Sequence, residues 1–90
     1  MQMNDFQDKV NEILTFKDED GIEWLEESLN IYPVMDGCMS ASFRGELIPC
    51  EGVPWDEALD EIVRHLTKRA ADLPPGWYDS ETKTVTAANR

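Results

Sequence analysis

PWDEALDEIVRHLTKRAADL, residues 54–73, is the stretch whose reading decides the fold. Its apolar residues Trp55, Ala58, Leu59, Ile62, Val63, Leu66, Ala70 and Leu73 recur at helical spacing, which a 3.6-residue turn gathers onto one face. Pro54 suits the first helical position, where a missing N–H costs nothing, and Pro74-Pro75-Gly76 cannot continue the helix. Asp56, Glu57, Asp60 and Glu61 precede Arg64, Lys68 and Arg69, an order that complements the helix macrodipole. Asp60 and Arg64 are spaced to pair at i,i+4. A long amphipathic helix is therefore expected here, and its apolar face must be covered by the rest of the chain.

Upstream, Phe6, Val10, Ile13 and Leu14 recur at helical spacing within Met3 to Phe16, with Asp5, Asp8 and Glu12 on the opposite side and Asn4 placed to cap. Asp20 followed by Glu23 reads as a capping box that starts a second helix to about Leu29, with Ile22, Leu25 and Leu29 inward and Trp24 beside them. From Ile31 the pattern becomes short runs between turn residues: Ile31 to Met35, Cys38 to Phe43, and Glu46 to Glu51, separated by Asp36-Gly37 and Arg44-Gly45. These read as antiparallel strands, Met39, Ala41 and Phe43 alternating with serines as on a sheet with one buried face. Pro33 and Pro49 each remove a ladder donor, which favours edge positions. After the prolines, Trp77-Tyr78 and Lys83 to Thr86 flank Asp79 to Thr82, which can close a last hairpin. The expected fold is one α+β domain over residues 1–90, with residues 1–3 and 87–90 frayed. It has two N-terminal helices, a short antiparallel sheet of two or three strands, a long helix packed on that sheet, and a C-terminal hairpin.

The chain of 90 residues carries 19 Asp and Glu against 8 Lys and Arg, a net charge of −11. Such a surface repels nucleic acid and anionic membranes, so a basic protein is the expected partner, without direct nucleic-acid or membrane binding. With no signal-peptide pattern and no apolar run near the roughly 20 residues of a membrane span, the expected location is cytoplasmic. Cys38 and Cys50 are too few for a disulfide scaffold and read as reduced thiols.

Chemical motifs are weak. Asp18, Asp20, Gly21 and Glu27 fall at EF-hand spacing, but Phe16 occupies the first ligand position, where a carboxylate is required. Cys38, Cys50 and His65 supply neither the four ligands nor the spacings of a structural zinc site, and His65 reads as a surface histidine. Adjacent carboxylates such as Glu26-Glu27 point about 100° apart on a helix, which does not assemble an acid–base pair. No enzyme activity, metal or cofactor is therefore expected.

Charge placement says more. Residues 1–30 hold nine acidic and two basic residues, residues 31–63 seven and one, and residues 64–90 three and five. Carboxylates ordered on helix faces imitate a line of phosphates and can occupy the basic groove of a nucleic-acid-binding protein. The residues expected to do so are Asp5, Asp8, Glu12, Glu19, Glu23, Glu26, Glu27, Asp56, Asp60 and Glu61. In size and charge the chain is similar to small acidic inhibitors encoded by bacteriophages, including restriction and CRISPR antagonists; the likeness is one of composition, without a shared motif. The expected function is a non-enzymatic inhibitor acting by nucleic-acid mimicry. An adaptor using an apolar patch around Trp24, Trp77 and Tyr78 is the alternative, a small enzyme or metal protein comes third, and a homodimer is compatible with all three.

Overall fold

The computed structural model describes residues 1–34, 38–50 and 52–87. The fold is α+β, and its elements in chain order are α1 (Met3–Leu14), β1 (Thr15–Lys17), β2 (Glu23–Leu25), β3 (Leu29–Pro33), β4 (Met39–Phe43), β5 (Glu46–Ile48), α2 (Trp55–Asp72), β6 (Gly76–Asp79) and β7 (Thr84–Ala87). The strands form a three-stranded antiparallel sheet, β3-β4-β5, and two separate two-stranded ribbons, β1-β2 and β6-β7. The expected Asp36-Gly37 turn, together with Met35, Glu51 and residues 88–90, lies outside the described residues.

The long helix forms where its periodicity places it. Ala58, Leu59, Ile62 and Leu66 are buried on one face, and that face packs on β4, β5 and α1. Pro54 sits one residue earlier than expected, as the N-cap, and its carbonyl accepts the first helical bond from the Ala58 N–H at 2.8 Å. Leu73 ends the helix in extended conformation, as the following Pro74 requires. The expected Asp60–Arg64 pair does not form: Arg64 instead reaches Glu61, and Asp60 meets the Met1 amine at 3.7 Å.

Helix α1 begins one residue before Asn4 and has no side-chain cap. Its Phe6 and Leu14 enter the core. In β4 the alternation holds strictly: Met39, Ala41 and Phe43 are completely buried, while Ser40 and Ser42 are half-buried on the other face. These side chains join Ile48, Cys50 and the buried face of α2 in one hydrophobic core. Arg44-Gly45 joins β4 to β5 as a two-residue turn with φ of 53° and 77°, the left-handed pair that matches strand twist.

The expected second helix over residues 20–29 does not exist. Residues 15–25 are a hairpin pairing Thr15 with Leu25, Phe16 with Trp24 and Lys17 with Glu23. Asp18, rather than Asp20, organises it: its Oδ1 accepts the backbone N–H groups of Asp20 and Ile22, both at 2.9 Å. The Gly21 N–H returns to the Asp18 carbonyl at 3.0 Å, with Gly21 at φ 80°. A type I turn followed by a left-handed glycine closes a three-residue hairpin loop. Ile22 and Leu25, expected inward, are exposed. Only Phe16 from this ribbon is buried.

Candidate functional site

The carboxylates expected to bind a partner divide among three elements. Asp5, Asp8 and Glu12 are exposed on α1, opposite Phe6 and Leu14. Asp56 and Asp60 are exposed on α2 and Glu61 is half-buried, and α2 lies against α1, so these six belong to one two-helix layer. Glu19 and Glu23 are exposed on the β1-β2 hairpin, and Glu27 follows it. Their stripe is thus a hairpin edge and not the helix face expected. Among the described residues, cations reach Glu12 through Lys9 at 3.9 Å, Glu61 through Arg64, and Asp60 through the Met1 amine. The structure records no such partner for Asp5, Asp8, Glu19, Glu23, Glu27 or Asp56 among these residues.

Glu26 does not belong to this surface. Its side chain is wholly inaccessible, and both carboxylate oxygens are bound. Arg44 donates from Nε to Oε2 at 2.8 Å and from Nη2 to Oε1 at 2.7 Å. Ser28 Oγ donates to Oε2, and the Gly76 N–H donates to Oε1 at 3.2 Å. Arg44 Nη1 donates in turn to the Leu73 carbonyl at 2.9 Å, while its guanidinium lies 4.7 Å from the Phe43 ring centroid. One ion pair therefore joins the end of the first hairpin, the β4-β5 turn and the segment after α2. On a helix Glu26, four residues after Ile22 and three before Leu29, shares the apolar face, so its expected place in the acidic stripe fails in either reading; here it follows the ribbon and is buried.

A second feature gathers residues that are far apart in the chain. Trp77 from β6 meets Trp24 from β2 with centroids 4.8 Å apart and Phe16 from β1 at 5.1 Å, both contacts edge-on. These rings border a cleft of about 450 Å³ whose lining continues through Glu27 and Tyr78. The Trp24 indole N–H donates to Asp18 Oδ2 at 2.8 Å, so the loop carboxylate that closes the hairpin also sets the ring. That bond and the backbone N–H groups on Oδ1 hold the Asp18 pKa below 3.8. Trp24, Trp77 and Tyr78 are the residues of the aromatic alternative, and the fold brings them together. Phe16 is the member that sequence reasoning missed. The signal for it was Asp18-x-x-Gly21, a hairpin turn signature that turns Phe16 toward Trp24.

His65 is half-buried, not a surface residue. Its ring stands edge-on to Phe43 at 6.4 Å, and Nε2 is buried without a hydrogen-bond partner. Burial, reinforced by the nearby Arg69 guanidinium, pulls its pKa below 6.5. Cys38 and Cys50 are not linked by a disulfide; Cys50 is buried with its sulfur 3.8 Å from the Met39 carbonyl. No group of three or more His, Cys, Asp or Glu side chains that could hold a metal occurs among the described residues. Among the described residues, no helix is long and apolar enough to cross a membrane. No protein-family model, curated protein or solved structure matches the chain.

Proposed function

We propose that the chain is a non-enzymatic binding protein whose acidic surface occupies the basic face of a partner, in the manner of an inhibitor that imitates nucleic-acid charge. The observation that carries this reading is the set of exposed carboxylates on α1, α2 and the first hairpin that have no cation beside them among the described residues. Unpaired like charges raise the folding free energy by mutual repulsion, and a basic partner relieves that repulsion while releasing its own counterions. The proposed partner is a basic cytoplasmic protein that itself binds nucleic acid.

Capture of such a partner from lysate, identified by mass spectrometry, supplies the ligand for the test. Binding is then measured for the parent and for Asp5→Lys/Asp8→Lys/Glu12→Lys at low and high salt. The expected result is loss of binding in the variant and steep weakening of the parent complex with salt. Salt-insensitive binding retained by this variant, and by matching reversals on Glu19/Glu23/Glu27 and Asp56/Asp60/Glu61, would sink the reading. The Trp24–Trp77 contact favours a second reading, an adaptor anchored by aromatic side chains. Loss of binding on Trp77→Ala with little salt dependence would select it.

A further inference from the structure

The cleft bordered by the first and last hairpins is aromatic on its walls, acidic at its rim and without a Lys or Arg in its lining. Trp77 stands at 86° to Phe16 and 63° to Trp24, so the three rings turn faces and edges in different directions around one space. Trp24 is 42% exposed and Trp77 46%, so each is packed over part of its surface and accessible over the rest. Their orientation is set in advance: Asp18 holds the Trp24 indole, and Phe16, itself buried, backs Trp77. Two carboxylates line the space, and they differ. Glu26 is neutralised by Arg44, whereas Glu27 is exposed with no ion-pair partner among the described residues.

We infer that this cleft receives an arginine side chain of the partner protein. The ring faces carry negative quadrupole potential, and Glu27 adds an uncompensated charge, so the complementary ligand is a cation. Of the two cationic side chains, the guanidinium is planar, more weakly hydrated and able to stack on indole. Its five N–H donors also suit the acceptors that Glu27, Asn30 and Ser80 contribute to the lining. The volume of about 450 Å³ accommodates one such side chain with its flanking backbone. The inference rests on the reading that the partner is basic; it shares Glu27 with the proposed acidic surface and otherwise uses residues distinct from it.

The test is an NMR titration of the 15N-labelled protein with a blocked Ala-Arg-Ala peptide, following the three indole N–H signals. Trp55 does not line the cleft and serves as the internal reference. Saturable shifts of Trp24 and Trp77 with Trp55 unmoved are expected. A citrulline peptide, equal in shape but uncharged, should bind about tenfold more weakly or worse, the lysine peptide should also be weaker, and Glu27→Gln should lose affinity several-fold. At high salt, where long-range attraction is screened, Asp5→Lys/Asp8→Lys/Glu12→Lys should still show saturable Trp24 and Trp77 shifts with the arginine peptide, so failure of the acidic-face reading would leave this result standing. Equal binding of the citrulline or lysine peptide, uniform shifts that include Trp55, an unaffected Glu27→Gln, or no saturable shift would each overturn the assignment.

Discussion

Glu26 and Arg44 form a two-point ion pair, 2.8 and 2.7 Å, between a carboxylate with no accessible surface and a guanidinium side chain only 10% exposed. Arg44 makes it from a backbone φ of 53°, a conformation that costs a non-glycine residue roughly 1 kcal/mol or more. The turn therefore holds a mildly strained residue at the position from which its side chain can satisfy Glu26, Leu73 and the Phe43 ring together.

Removing either partner should leave a buried charge unpaired. Glu26→Ala and Arg44→Ala are each expected to cost about 3–5 kcal/mol in urea denaturation. The double change Glu26→Leu/Arg44→Met should cost less than either single one, because no orphan charge remains. Singles that each cost under about 1 kcal/mol would remove this pair from the structural account. Glu26 is accordingly the one residue of the acidic set that must not be reversed to lysine when the surface is tested.

Leu59 and Leu66 lie on the buried face of α2, 3% and 0% exposed. Leu→Ala at either should cost about 2–5 kcal/mol, the range for a large-to-small change in a packed core. Equilibrium unfolding of the two variants checks this, and losses below about 1 kcal/mol at both would contradict the packing of α2 on the sheet.

The two cysteines contribute no cross-link. A reductant should leave the melting temperature unchanged, and Cys38→Ser should remain folded. A drop corresponding to about 2–4 kcal/mol on reduction would mean that a disulfide closes in solution.

Two acid transitions should separate. His65 has its pKa held below 6.5 by burial first and Arg69 second, so the unfolded chain binds more protons in the interval beneath 6.5. Stability from this group is complete above about pH 6.5 and falls as pH drops through that value toward the lower folded pKa. Asp18, depressed by the Trp24 indole and backbone N–H groups, contributes stability that is complete above 3.8 and lost as pH falls through its folded pKa. Melting temperature followed across pH should therefore lose its upper slope in His65→Gln and its lower one in Asp18→Asn. A parent and His65→Gln with parallel profiles between about pH 5 and about pH 7 would refute the first assignment.

The charge-reversed variant Asp5→Lys/Asp8→Lys/Glu12→Lys should fold like the parent, since all three side chains are exposed on α1. Surface changes of this kind usually move stability by less than about 0.5 kcal/mol each. Circular dichroism and thermal melting provide the check; an unfolded variant would show that this face makes contacts the core requires.

Local pattern alone determined α2, α1, the buried face of β4 and the last hairpin. For α2 the periodicity agreed with the Pro54 start and the Pro74-Pro75 stop, and in β4 the Met39-x-Ala41-x-Phe43 alternation set the buried face; in α1 the stripe held while the expected Asn4 cap did not form, and the last hairpin rested on turn residues between two short runs. Where two local readings competed, tertiary contacts chose. Ile22, Leu25 and Leu29 match a helical stripe, and Asp20 with Glu23 a capping box, while Asp18-x-x-Gly21 matches a hairpin turn. The hairpin prevails because Trp77, more than fifty residues away from Trp24 in the chain, covers Trp24 and Phe16, and because Arg44 binds Glu26 at the ribbon's end. The aromatic cleft and the burial of Glu26 follow from those long-range contacts, and the half-buried His65 from the packing of α2 against Phe43 of β4. None is encoded in the spacing of neighbouring residues, because a side chain's period within one element says which face it shares and not what another element brings against it.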